Sequence, residues 1–302
     1  MSGPHLSNAR AVATALSVLL VALWGPAAVG ATEDPLSAAS TQPASRPAAA
    51  PGEADPNPPA PGFDLAGSDD RAIEIADAVM KKMGGRRAWD ETRYFRWRFF
   101  GRRLHVWDRH TGRIRIEGTD PKTGAPYVTL MNLRTGEGRV LKGGEAVTDP
   151  SKLRAMLEAG EAAWINDSYW LLMPYKLKDT GVTLKYLGEH PMKDGRPADA
   201  LELTFKDIGR TPHNKYLVFV ARDSGLVEQW SFFADRDDDE PRFLCPWASW
   251  KRYGRIMLSD DRGEIGRLDE LAVFDELPES VFTDPAPVDF SKTKETPTPT
   301  GE

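Results

Sequence analysis

The sequence predicts an α+β fold: one long, curved antiparallel sheet of about ten strands, an unclosed half-barrel, with helices over its concave face. Three observations predict it. Short runs of alternating apolar and polar residues recur along the chain, separated by Gly-containing turns. A helical repeat precedes them. One helical insertion divides them, and it ends in an aromatic, Met-containing, Pro-broken stretch at residues 164–177.

In chain order, Arg10 precedes an apolar run over residues 11–24, and Val29, Gly30 and Ala31 supply small residues for cleavage. At roughly 14 residues that run falls short of the ~20 needed to span a bilayer, so residues 1–31 are expected to be a removed secretory signal. Cys245 is the sole cysteine and lies far from that region, so no internal disulfide and no lipid attachment are expected. Within Phe243-Leu244-Cys245-Pro246-Trp247 the thiol reads as a small buried hydrophobe. The expected location is periplasmic or secreted, without a lipid anchor and without a permanent span after cleavage.

Residues 32–67 are rich in Ala, Pro, Ser, Glu and Asp and poor in aromatic and β-branched residues, the composition of a disordered linker. Residues 291–302 form a shorter tail of the same kind. The intervening residues 68–290 suffice for one domain with a sizeable core.

In that domain Ala72, Ile75, Ala76, Val79, Met80 and Met83 repeat at helical spacing. Ser68 or Asp69 can cap the start, and Gly84-Gly85 ends the helix. Strands are expected near 93–100, 104–108, 113–118, 127–133 and 138–141, with turns at 110–112 and 134–136. The second half continues with strands near 182–187, 198–205, 215–221, 226–233, 243–253, 255–259 and 265–274. Between the halves, Asp149-Pro150 reads as an N-cap followed by Pro at the first helical position. Gly160 weakens this helix. Two short helices are expected there, broken at Asn166-Asp167, with Asp167 capping the second.

The net charge of −6 argues against a general nucleic-acid binder. Arg86, Arg87, Arg93, Arg96, Arg98, Arg102 and Arg103 are interleaved with aromatics. Strand alternation puts Arg96 and Arg98 on one face and Phe95, Trp97 and Phe99 on the other, as a half-buried strand requires.

Four segments carry a resemblance: Met83-Gly84-Gly85 to Ala88-Trp89, the string from Trp164 to Asp179, Gly181-Val182-Thr183-Leu184, and Leu277-Pro278-Glu279-Ser280-Val281-Phe282-Thr283. Together they resemble an uncharacterised family of exported bacterial proteins, similar in architecture to the periplasmic carriers of outer-membrane lipoproteins, the LolA-like fold. The likeness covers residues 69–284. It implies a half-barrel with a pocket beneath it, and transfers no binding residue.

A pocket of that kind would take a lipid, an acyl chain or a lipoprotein. At ~0.8 kcal/mol per buried CH₂, a chain of ~14 carbons is worth about 11 kcal/mol gross. Candidate lining residues are Phe95, Trp97, Phe99, Trp170, Met173, Trp230 and Phe232, chosen from apolar strand faces and the insertion. The alternative is an interaction or scaffold module of the cell envelope with a filled core. Its surface would be the Arg stretch or the acidic run Asp235-Arg236-Asp237-Asp238-Asp239-Glu240. Counted from Asp235, that run lacks the sixth-position glycine and twelfth-position glutamate of a calcium loop. His105, His110, His190 and His213 show no metal-ligand spacing, and no nucleophile elbow or phosphate loop is present. No catalytic residue, metal or cofactor is therefore expected.

Overall fold

Strand after strand pairs with its sequence neighbour in the computed structural model, which describes residues 56–206 and 213–298. The expected signal, residues 1–31, and residues 32–55 of the expected linker lie outside the described residues. The fold is α+β, with a large antiparallel sheet that does not close into a barrel.

The first half builds β1 (Tyr94–Phe99), β2 (Arg103–Asp108), β3 (Arg113–Thr119), β4 (Pro126–Asn132), β5 (Gly138–Lys142) and β6 (Glu145–Ala146). The second half builds β7 (Val182–Pro191), β8 (Pro197–Phe205), β9 (Lys215–Ala221), β10 (Val227–Phe233), β11 (Phe243–Pro246), β12 (Ala248–Tyr253), β13 (Ile256–Asp261) and β14 (Leu268–Phe274). The last strand, β14, returns beside the first, giving a seven-stranded sheet ordered β14-β1-β2-β3-β4-β5-β6.

The expected single sheet is in fact three: this one, a five-stranded sheet β11-β10-β9-β8-β7, and the pair β12-β13. Beyond the helical insertion between β6 and β7, two breaks have local causes. Pro246 has no N–H to donate and Ser249 sits at φ 60°, so the strand expected over 243–253 divides at Trp247. Between β13 and β14, Gly263 (φ 63°) and Gly266 (φ 146°) turn the chain, and a lone bridge, Asp261 with Arg267, joins the two strands.

Helix α1 (Asp70–Lys82) buries Ala72, Ile75, Ala76, Val79 and Met80, as its periodicity predicts. Asp69 stands at its N-cap but does not cap it. Its carboxylate accepts from the Tyr186 N–H and from Lys185 Nζ, both at 3.0 Å, so it ties the helix start to β7. A second short helix, α2 (Gly85–Glu91), follows at once. Gly84 (φ 117°) makes the turn, and a Cβ there would lie 2.6 Å from the Arg255 carbonyl.

The insertion is one helix, α3 (Pro150–Leu172), rather than the expected two. Asp149 caps it, accepting from the Lys152 N–H at 2.8 Å. Asp167 does not break it, because its carboxylate is drawn sideways to the sheet. Gly160 permits close approach: a Cβ there would already lie 3.3 Å from Thr129 Cγ2 on β4. Leu157, with Leu153, Met156 and Trp164 beside it, packs on Ile114, Ile116, Met131 and Val140.

The opposite face of the seven-stranded sheet is also covered. Tyr94, Val106, Ala272 and Phe274 lie beneath Val281 and Phe282 of the short helix α4 (Ser280–Thr283), with Val288 and Phe290 beyond. Buried Arg115 holds this segment by donating to the carbonyls of Asp284 and Ala286, each at 2.7 Å.

The domain limits of 68 and 290 need correction. Residues 56–67 are bonded to the domain: the Ala60 N–H donates to Lys178 O, and the Asp64 N–H to Val182 O on the outer edge of β7. Pairing of this kind protects an edge strand. In the tail, the Thr296 N–H donates to Val273 O at 2.9 Å. Composition misleads at both ends because prolines and small residues order well when their few polar groups find fixed partners. No described helix is long and apolar enough to cross a membrane.

Candidate binding site

The alternation of β1 sends Phe95, Trp97 and Phe99 to the face under α3, and all three are buried. Trp97 stacks on His105 (centroids 4.7 Å apart, 10° between planes), while Phe95 meets Trp107 and, through it, Trp164 of α3. Trp230 and Phe232 point from one face of β10 into a second aromatic group with Tyr216 and Phe243. Trp170, near the end of α3, joins the two groups. It lies 6.5 Å from Phe99, 5.0 Å edge-on from Trp230, and stacks on Phe243 at 5.2 Å.

Of the seven candidate lining residues, six are buried and Phe232 is half-buried. Met173, in the 3₁₀ turn Met173–Lys176 after α3, is fully buried. The structure therefore brings the aromatic candidates together, but as side chains packed on one another. Neither of two clefts on the domain has any of the seven in its lining.

Two buried polar clusters and one surface cleft were not legible as such in the sequence. On the sheet side of α3, Asp167 accepts two bonds from Arg103 (2.7 and 2.9 Å) and one from His105 Nε2 (2.7 Å), with Asp167 and His105 wholly buried. Burial alone would raise the Asp167 carboxyl; the bonds from His105 and Arg103 outweigh it and hold the group below its ordinary value. The available signal was spacing, since Asp167 stands three residues after Trp164 and so shares its face.

Arg262 is the second. Its guanidinium lies 3.6 Å from the ring centre of Trp247 and donates to Ser259 Oγ, Asp261 O, Ser259 O and Trp170 O. Burial pulls this group down to about 9, so it remains charged at neutral pH. Beside it, the Cys245 thiol is pushed up to about 12 by burial. Alkylating reagents at pH 8 are expected to leave Cys245 unmodified in the native chain and to label it after denaturation, as intact mass would read.

The third is a cleft of about 150 Å³ between residues 57–60 and the body of the domain. Trp89 of α2 stacks on Tyr175 at 4.4 Å in its wall, with the Arg109 guanidinium 4.7 Å from the indole. Tyr175 is fixed by donating to Met257 O at 2.7 Å. A second, open cleft of about 450 Å³ lies next to it and shares Arg86.

Of the two candidate surfaces, the Arg stretch is largely paired with carboxylates. Arg93 pairs with Asp108, Arg98 with Glu270, Arg103 with Asp167 and Arg86 with Asp90. In the acidic run, Lys215 Nζ donates to the carbonyls of Arg236 and Asp238, and Asp235 Oδ1 accepts from the Asp237 N–H. An ammonium thus occupies the loop. Among the described residues no group of three or more His, Cys, Asp or Glu is placed to hold a metal ion.

No family model and no curated protein matches the chain. Among solved structures, it is similar to a DUF1329 family protein from Desulfovibrio piger, at 13% identity and a TM-score of 0.38, over 71% of this chain and 98% of that one. It is also similar to a chain of the Pseudomonas aeruginosa MucA/MucB complex, at 16% identity and a TM-score of 0.20, over 53% and 51% of the two chains. MucB in complex with MucA(peri) gives 13% identity and a TM-score of 0.20, over 70% and 58%. These values assign no function, and the fold rests on the strand order and register described above.

Proposed function

We propose that this chain is a non-catalytic binding module of the cell envelope, exported by its N-terminal signal, whose core is filled by its own side chains and whose recognition occurs at its surface. The observation that carries this reading is Trp170: the residue best placed to line an apolar pocket is instead packed between Phe99, Trp230 and Phe243. An interior at crystal-like density leaves no room for an acyl chain unless a helix moves. The arrangement of buried polar groups argues in the same direction, since Asp167 and Arg262 both pin the C-terminal turns of α3, at Asp167 and at Trp170.

A carrier of lipid, acyl chain or lipoprotein is the second reading. It is favoured by the continuity of the aromatic interior beneath the single helix α3, whose displacement would open all of it at once.

Native mass spectrometry of the mature protein, followed by solvent extraction, separates the two. A clean apo mass with no uptake of added lipid or lipopeptide is expected; a defined co-purifying lipid would instead establish the carrier. Trp170→Ala is expected to cost about 3–5 kcal/mol in urea denaturation. On the carrier reading its main effect would be lost lipid retention in a stably folded variant.

A further inference from the structure

We infer that the end of the five-stranded sheet where a row of aromatic rings meets the acidic run after β10 is a docking surface for a basic, amphipathic segment of a partner protein. This inference rests on the proposed surface recognition, and names where it happens and what is recognised.

Strand register builds the row. Phe232 on β10 stands opposite Phe243 on β11 and Tyr216 on β9, with ring centres 5.2 and 5.3 Å away. Phe205, at the end of β8, meets Tyr216 edge-on at 5.9 Å. Four rings thus form one line across four strands. Buried Trp170 and Trp230 make its floor, Trp170 stacking on Phe243 at 5.2 Å and Trp230 on Tyr216 at 5.1 Å. The four residues above that floor are only half-buried. Apolar side chains that reach solvent singly need no explanation, whereas a contiguous aromatic line beside a charged rim has the make-up of an interaction site.

The rim decides the partner's chemistry. Residues 234–242 connect Phe233 at the end of β10 to Phe243 at the start of β11, so the acidic run lies directly beside the row. Its five carboxylates stand against Arg236, Arg242 and Lys215, and Asp235, Asp237, Asp239 and Glu240 are exposed. Lys215 Nζ donates to the backbone carbonyls of Arg236 and Asp238, which leaves the loop with net negative charge. The same ammonium lies 4.6 Å from the centre of the Phe233 ring, so the chain itself shows a lysine held between an aromatic ring and this loop. A partner segment that sets apolar side chains among lysines or arginines satisfies row and rim together, by burial, cation–π attraction and charge pairing. An acyl chain would use the row alone, and an acidic segment would be repelled.

The test uses the full chain and three fluorescein-labelled peptides of equal length. One is built of lysine and leucine with the leucines on one helical face; the second has glutamate in place of lysine, and the third serine in place of leucine. By anisotropy at low salt the lysine-leucine peptide is expected to bind, and the other two at least about ten-fold more weakly. Asp237→Asn/Asp239→Asn/Glu240→Gln should weaken binding about ten-fold and flatten its salt dependence, whereas Phe232→Thr should weaken it about as much and leave the salt dependence intact. Circular dichroism and thermal melting check each fold. Should Phe232→Thr be unstable, the exposed triple variant and the serine peptide read rim and row without it. Glu137→Gln/Glu145→Gln/Glu276→Gln, which neutralises exposed carboxylates elsewhere, is expected to change nothing. No binding of the lysine-leucine peptide, equal binding of the serine peptide, unchanged affinity in the rim variant, or an equal loss in the Glu137, Glu145 and Glu276 variant would each overturn the inference. A dimer in sedimentation that Phe232→Thr dissolves would place a second copy on the row and overturn it too. A lipid found by native mass spectrometry would instead overturn the surface-recognition reading, whatever the peptides do.

Discussion

Arg262→Ala is expected to lower the stability of the folded chain by about 3–5 kcal/mol, read as a shift in the urea midpoint at constant slope. The guanidinium is wholly buried, and its removal leaves the carbonyls of Trp170, Ser259 and Asp261 without this donor while opening a void against Trp247. Each stranded acceptor costs ~1–3 kcal/mol before relaxation. Arg262→Lys should recover little of the loss, because an ammonium cannot span Trp170 O and Asp261 O at once while lying flat on the indole. The bond to Trp170 O is the one that couples α3 to the β13–β14 turn. Hydrogen exchange in Arg262→Ala should therefore rise first in the last turns of α3, and uniform acceleration across the chain would argue against that coupling.

Asp167→Ala is expected to cost a similar ~3–5 kcal/mol, since it leaves Arg103 and the wholly buried His105 beside an empty site. Asp167→Asn should cost less, because an amide oxygen can still accept from Arg103. The pH dependence has a definite sign. The folded-state value of this carboxyl lies below its unfolded value of ~3.9, so the unfolded chain binds more protons as the solution is acidified. The stabilisation from ionised Asp167 is complete above roughly pH 5, and it is lost as pH falls toward and through the folded value. Thermal melts from pH 6 to pH 3 should show a steeper fall in Tm for the wild type than for Asp167→Asn. Parallel curves would mean that Asp167 contributes no linked proton.

Much of this architecture was legible in the sequence because it depends on local rules. The six apolar positions from Ala72 to Met83 and the Asp149-Pro150 start fix the two longer helices, and the Gly-containing turns punctuate the strands. Alternation in Tyr94–Phe99 correctly assigned Phe95, Trp97 and Phe99 to the interior. What it could not state was whether that interior holds a guest. An aromatic face reads the same whether it meets a ligand or another part of the chain, and the difference here is made by Trp164 and Trp170 on a helix some sixty residues away in sequence.

The same reasoning explains the failures. Asp167 looked like a helix cap because Asp in a helical pattern commonly serves its own backbone. Its actual partners, Arg103 and His105, are more than sixty residues distant. Residues 56–62 looked like linker because proline and alanine bury little area. Their order comes from carbonyls and an amide matched to Lys178, Thr180, Gly181 and Arg86.

By itself, then, the sequence determined the α+β class, the meander of short antiparallel strands, the starts of the two longer helices and which strand faces are apolar, because these follow from side-chain period and backbone restriction within a few residues. The tertiary structure alone decided that the aromatic face is closed by its own helix, that Asp167 and Arg262 hold that helix down, and that a proline-rich stretch lies in a groove. Each of these is a contact between distant segments, whose free energy depends on shape, desolvation and geometry that no local pattern encodes.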